Sequence, residues 1–485
     1  MKQLPCILLF SLSFFHLKGQ GLDNIWLMGY DTQASPPWGA LSIDFNSGSP
    51  VIDTSYREME FSSTHSNISD SLGNLLFYTN GVYIADATHD TMLNGSGLNP
   101  SNYTNNHLDG LTLGQANVII PIPESDSIYY MFHQTVDSFG TSSYLYLSII
   151  DISLNGGLGG VITKNQIVIN DGLNTGRINA VKHANGRDWW VFCHKFNTNI
   201  FYKLLITPNG IDTVFTQSIG IIRPPDGGWA VFSKDGSKFA YHWTEHGAEL
   251  FDFDRCTGMF SNPLLLNNGV GIGVEFSDNS KVLYVSGGDT LLQYDITATD
   301  IKASETIVAL WDSTYSPFPP FAAVFCFMKL APDGKIYMTT CNSTLVMHTI
   351  EHPDSVGLAC DVQQHSINLN RYYFNTLPNH PNYHLGRLVG SPCDTLFTGI
   401  PPPEERLTLK LQPNPNSGSF QITYTPLPEN LTLQVFNILG EEVHSQLLPQ
   451  WSQLQNIHVP NLSAGVYMAT ITSSASRKSV KFVVE

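Results

Sequence analysis

The sequence predicts an all-β protein, on three observations. Aromatic residues make up 11% of the chain, beside 39 glycines and 28 prolines, a mixture that favours strands and turns over helices. Apolar residues alternate, or run unbroken over a few positions, without a sustained helical period. A unit of apolar strand, polar turn and apolar strand returns through most of the length.

Its clearest copy is Val231 to Gly258, where a Lys-Asp-Gly turn joins two strands and a third strand ends on Asp254. Six turn-then-strand units align on Leu75, Ile128, Trp189, Phe239, Val282 and Ile336, at spacings of 53, 61, 50, 43 and 54 residues. A seventh, at Ile25, lies 50 residues before Leu75. Each turn uses Asp, Asn, Gly or Ser, which tolerate positive φ and bond their own backbone. A later strand in most units ends on aspartate, as at Asp44, Asp86, Asp151, Asp254 and Asp295. Three or four strands in about 50 residues is the size of one propeller blade. The expected architecture is therefore a seven-bladed β-propeller over residues 21–395.

Residues 1–20 read as a signal peptide: Lys2 is a positive n-region, and Leu4 to Phe15 is apolar but too short to span a bilayer. No other stretch is apolar enough for a transmembrane span. Charge is sparse, 13% of residues, with a net of −17, which argues against nucleic acid as a partner. Beyond Cys6, six cysteines remain: Cys193, Cys256, Cys326, Cys341, Cys360 and Cys393. In an oxidising compartment they allow three disulfides in fifteen pairings, or buried thiols. None forms a C-x-x-C pair, so zinc and thioredoxin-type sites find little support.

After Cys393 the composition shifts. Residues 396–406 hold three consecutive prolines and read as a semi-rigid linker. Residues 407–485 alternate as four strands, FQITYT, LTLQVFNI, GVYMATIT and VKFVV, and have the size of a small β-sandwich.

Two resemblances follow from these motifs. The turns SKDG at Ser233 and APDG at Ala331 resemble TolB-like and WD-like propeller repeats. Longer stretches, among them NIWLMG, GNLLFYTNGV and INAVKHANGRDWWV, are similar to a family of exported propeller proteins of Bacteroidota; that resemblance implies fold and compartment, not an activity. The C-terminal unit resembles the type A sorting domain of the type IX secretion system. Pro413, Asn414, Pro415, Gly418 and Phe420 stand in its opening motif, and Leu433, Val435, Asn437, Gly440 and Val443 in the second. Leu462, Gly465, Tyr467 and Ile471 stand in the third, before a closing run that holds Lys481. The chain ends on Glu485, where many members carry a basic residue. The resemblance implies the secretion translocon and its C-terminal signal-processing machinery as partners, a secreted or outer-membrane surface location, and cleavage of the domain on export.

No motif assigns chemistry. HWTEH at His242 matches H-x-x-E-H, but a strand precedes it and too few residues follow to form the helix such a metal site needs. His183, Arg187, Asp188, Trp189, Trp190, Cys193 and His194 concentrate polar and aromatic groups that could stack on a sugar or peptide. The simpler reading is a turn and a central strand whose tryptophans pack between blades. Cys193 and His194 are strand neighbours and point to opposite faces, which excludes a thiol–imidazole pair. His348, His352, His365, His380 and His384 are scattered through Pro-rich loops, and NHPNYHLG reads as loop packing rather than a metal site. No catalytic residue, cofactor or metal is expected. The leading expectation is a non-catalytic module binding a protein or carbohydrate through loops on one face. A hydrolase or lyase at the channel mouth and a structural or adhesive surface component are the alternatives. Converging acids with shifted pKa values in one pocket would favour the enzyme.

Overall fold

The computed structural model describes residues 21–394 and 407–485, apart from 138–140, 225–226, 267–270, 318–319, 428 and 474–476. The segments expected from sequence to be a signal peptide, 1–20, and a linker, 396–406, lie outside the described residues.

Among those residues, positions 25–373 form seven consecutive antiparallel sheets. The fifth is the plainest: Ala230–Phe232, Lys238–Trp243, Gly247–Asp254 and Met259–Leu265 follow one another in space as in sequence. Its ladder pairs Val231 with Ala240, Ala240 with Leu250 and Leu250 with Leu264. The third to seventh sheets have four strands, and the first two have three. Six first strands touch in succession: Ser66–Ser69, Asn117–Pro121, Asn179–Lys182, Ala230–Phe232, Gly273–Phe276 and Met328–Leu330. They line a central axis, and each sheet splays outward from it, as in a propeller. The core lies between sheets. Phe192, Phe201, Phe239, Phe251 and Phe260 fill the gap between the fourth and fifth, and Trp26, Phe45 and Tyr337 pack where the seventh meets the first.

The aspartates that end the strands have one local job. Asp44, Asp86, Asp151, Asp254 and Asp295 each accept the backbone N–H two residues on, at 2.7–2.9 Å. That bond starts the turn into the next strand, so the same residue type recurs at the same place.

The first sheet begins one strand late. Ile25–Met28 matches the second strand of the other sheets, because Trp26 packs edge-on against Tyr337 of the seventh sheet's second strand. The place nearest the axis is taken by residues 376–384, the chain's return after the seventh sheet. Lys329, on the first strand of the seventh sheet, donates to the His380 carbonyl at 3.1 Å, and His380 Nε2 meets Asn67 of the second sheet at 3.0 Å. The ring is thus closed by a segment without strand structure.

Two disulfides form, Cys256–Cys393 and Cys326–Cys341, while Cys193 and Cys360 stay buried and unbridged. The three bridges that six cysteines allow are therefore not all made. Cys193 sits on a central strand packed among Trp189, Val191 and Leu204, with no second thiol within reach.

Residues 409–484 form two facing sheets. One holds Leu409–Gln412, Ser419–Tyr424 and Leu454–His458, and the other Glu442–Leu448, Leu431–Phe436, Gly465–Thr472 and Arg477–Val484. Phe420, Leu433, Val435, Ile457, Ile471 and Phe482 fill the space between, which gives a small β-sandwich.

Candidate functional site

The return segment runs along the axis and converts an open channel into a pit. At one end Asn379 ties four sheets together. Its backbone N–H bonds the His65 carbonyl at 3.0 Å, and its Nδ2 donates to Asn117 at 2.7 Å and Ile178 at 2.8 Å. Gln115 donates to its Oδ1 at 3.2 Å while bonding both backbone groups of Ala230 at 2.8 Å. Halfway along, Tyr383 donates to the Ile119 carbonyl at 2.8 Å and meets Trp189 edge-on. Farther on, Leu388 bonds Ala184, Arg255 donates to the Gly386 carbonyl at a turn of the fourth and fifth sheets, and Cys393 is bridged to Cys256. Gly236 sits where this segment passes: a Cβ there would lie 2.8 Å from Leu385, and its φ of +72° is one that glycine adopts readily.

Between the segment and the first strands of the fourth to seventh sheets lies a cavity of about 600 Å³. Its floor is buried and carries Gln115, Asn179, Trp229 and Asn379; its exposed rim carries Asn46, Leu72, Lys234, Pro332 and His384. Equivalent positions in four sheets, two residues before the turn, line it: Val181, Val231, Glu275 and Lys329. Two neighbouring valine positions are thus replaced by opposite charges.

Glu275 is 6% exposed. Its carboxylate accepts from its neighbour's N–H at Phe276, 2.9 Å, and from Leu330 across the sheet boundary, 3.1 Å. Burial pushes its pKa up to about 7, against the pull of Lys329. Burial likewise lowers Lys329, whose charge is supported by Glu275 and Asp23. Nearer the rim, His384 Nε2 meets Asp23 Oδ1 at 3.0 Å, which raises the imidazole; burial opposes ionisation of Asp23, but this bond and the histidine charge hold it below its ordinary value. Burial drops His380 to about 3, so it is neutral.

The other sequence candidates lie apart from this pit. Trp189 and Trp190 are buried, Trp190 donating to the Arg255 carbonyl at 2.8 Å, as the packing reading expects. Arg187 pairs with Asp188 and Glu124, and His183 Nε2 meets the Cys256 carbonyl. Cys193 joins the core on one side of its strand, while His194 faces Asn174, Arg223 and Tyr241 on the other. His242 lies within the strand that ends on Trp243 and His246 lies in the following turn, so HWTEH is not helical. His348 accepts from the His365 N–H, His365 pairs with Asp312, and His352 bonds the Cys360 carbonyl through its backbone. Among the described residues no three metal-capable side chains converge. Of the side chains weighed from sequence as candidates for chemistry, His380 and His384 reach the pit. Glu275, Lys329 and Asp23 were not singled out. The available signal was a charge at a repeat position that is valine in two other sheets.

In the sandwich, Asn414 accepts from Val483 at 2.8 Å and donates to the Lys481 carbonyl at 3.4 Å, joining the opening motif to the last strand. Pro413 and Pro415 follow cis peptide bonds beside it. Gly418 has φ +87°, and a Cβ would lie 2.8 Å from the Val459 carbonyl. Phe420 and Tyr467 pack on Phe482, Leu433 and Val435 are core, and Leu462 and Gly465 flank the Tyr467 strand. Asn437 and Gly440 make the turn after Phe436; Ile438 and Leu439 at its tip are nearly four-fifths exposed.

Residues 410–485 match the secretion system C-terminal sorting domain. This domain is the export signal of the type IX secretion system, so the protein is secreted or displayed at the cell surface. No helix among the described residues is long and apolar enough to cross a membrane. No curated protein matches the chain. Similar solved structures include a protein from Bacteroides fragilis at 14% identity, covering 73% of this chain and 97% of that one, with a TM-score of 0.43. An extracellular domain from Bacteroides thetaiotaomicron is 10% identical, covers 95% of this chain and 54% of that one, and has a TM-score of 0.39. The Dos1 propeller is 11% identical, with 65% and 87% coverage and a TM-score of 0.36. The propeller is read from the sheets themselves, not from these likenesses.

Proposed function

We propose that this exported chain is a non-catalytic binding module, in which residues 21–395 form the receptor, 396–406 a linker and 407–485 the sorting domain. One observation carries the reading: the pit of about 600 Å³ has a buried floor that carries Gln115, Asn179 and Asn379, and a rim of exposed turn residues. The Pro413-Asn414-Pro415 corner, the Gly418 bend, the Asn437-Gly440 turn and the strand from Gly465 through Tyr467 are the features we assign to recognition by the translocon and its processing machinery. The ligand of the receptor is of the protein or carbohydrate class, small peptides and sugars included.

A second reading, a hydrolase or lyase, is favoured by the split of two acids in the pit, Glu275 raised and Asp23 lowered. Asp23 is tied to His384, while Glu275 is held by two backbone N–H groups and has no side-chain partner, so the two acids do not form a working pair and binding is the better account. The test is incubation of the purified mature protein with an array of polysaccharides and peptides, with products examined by mass spectrometry. Ligand retained and unchanged is expected; cleaved ligand would replace this reading with the enzyme.

A further inference from the structure

Glu275 and Lys329 occupy equivalent positions on adjacent first strands, yet they make no ion pair with each other. Lys329 spends one N–H on the His380 carbonyl, 3.1 Å, and keeps two. Glu275 receives one backbone N–H on each oxygen and keeps lone pairs on both. The other charges of the pit are already matched, Asp23 by His384 and Lys234 by Asp278. What remains is one carboxyl and one ammonium on neighbouring strands, both in the lining of the pit of about 600 Å³ and bonded there only to backbone groups.

We propose that the pit binds a small zwitterion, an amino acid or short peptide with both termini free, its ammonium on Glu275 and its carboxylate on Lys329. The volume suits a peptide of two or three residues rather than a polymer. The phenyl and indole rings of the lining are taken up by packing: Phe45, Trp229 and Phe276 are at most 3% exposed, Trp229 packs against Phe327, and the half-buried Phe232 packs on Phe192, Phe239 and Phe253. Burial works in the same direction, since each charge is disfavoured alone and each gains by meeting its opposite.

This inference rests on the binding reading, and the experiment separates the two. The mature full-length protein is dialysed against a mixed dipeptide library, the same library N-acetylated, the same library C-amidated, and maltose, with bound ligand identified by mass spectrometry. Free dipeptides are expected to bind, and each blocked form to bind at least about tenfold more weakly. Glu275→Gln is expected to weaken free dipeptides by a similar factor while leaving the acetylated library unchanged; Lys329→Met does the same for the amidated library. The blocked ligands test the wild-type protein, so a variant that folds poorly does not spoil the result. Equal binding of free and blocked dipeptides, or binding of maltose alone, overturns the zwitterion while the binding module stands. Retention of a polymer with no dipeptide bound overturns it too and moves the ligand elsewhere. Silence toward dipeptides, maltose, polysaccharides and longer peptides alike defeats both.

Discussion

Glu275 is a carboxyl that folding makes harder to ionise. Its ordinary value is 4.5 and its folded value about 7, so between those pH values the folded chain holds more protons than the unfolded chain. Stability from this group therefore falls as pH rises through that window, by about 3 kcal/mol in all. Glu275→Gln lacks the term. Its stability relative to the parent should improve by about that amount from pH 4 to pH 8, measured by urea unfolding at both; a difference independent of pH would show that the carboxyl is not buried against its charge. The neutral His380, held near 3, works in the opposite sense: the unfolded imidazole takes a proton below about 6.5, so its contribution is lost as pH falls from there toward 3. Asn379 offers a second test at this scale. Asn379→Ala removes two donated and one accepted side-chain bond at a buried junction, and should cost roughly 2–3 kcal/mol in the same unfolding measurement.

At the scale of elements, the return segment and its clasp decide what the ring can hold. The Cys256–Cys393 bridge closes a loop of 137 residues and pins the chain after it leaves the axis. Replacing both cysteines by serine should lower stability by roughly 3–4 kcal/mol. It should also speed trypsin cleavage after Arg387, read by mass spectrometry; unchanged cleavage would mean that the bonds of Asn379 and Tyr383 hold the segment unaided. The difference in legibility between elements has a physical source. Turns built on Asp235 or Asp254 announce themselves because the bonds that make them are local, two residues from donor to acceptor. NHPNYHLG carries no period, and its partners Asn67, Asn117 and Asp23 lie 262 to 361 residues away, so nothing near it in the chain says that it fills a channel. The charged pair stood between these cases: Glu275 and Lys329 become conspicuous only once their strands are registered against Val181 and Val231.

At the scale of the molecule, a propeller and an export address share one chain. Removal of residues 407–485 should leave a protein that stays in the periplasm, followed by cell fractionation; recovery of the shortened protein at the surface or in the medium would separate export from the sorting domain. The spacing of the repeat, set by turn chemistry every 43 to 61 residues, was enough to place the sheets. The late start of the first sheet, although its strand was correctly aligned at Ile25, became visible only when the strand nearest the axis was found to be missing.

Closure by the far end of the propeller also governs when the ring comes into being. Asp23 and His384 are 361 residues apart, and His380 bridges the second and seventh sheets. A chain delivered amino end first, from a ribosome or through a membrane, therefore remains an unsealed crescent until its last sheet and the stretch beyond it have arrived. The sorting domain emerges later still. Its address therefore follows the keystone, so a chain interrupted anywhere before the sorting domain is complete carries no ticket for export, whether or not its pit is finished.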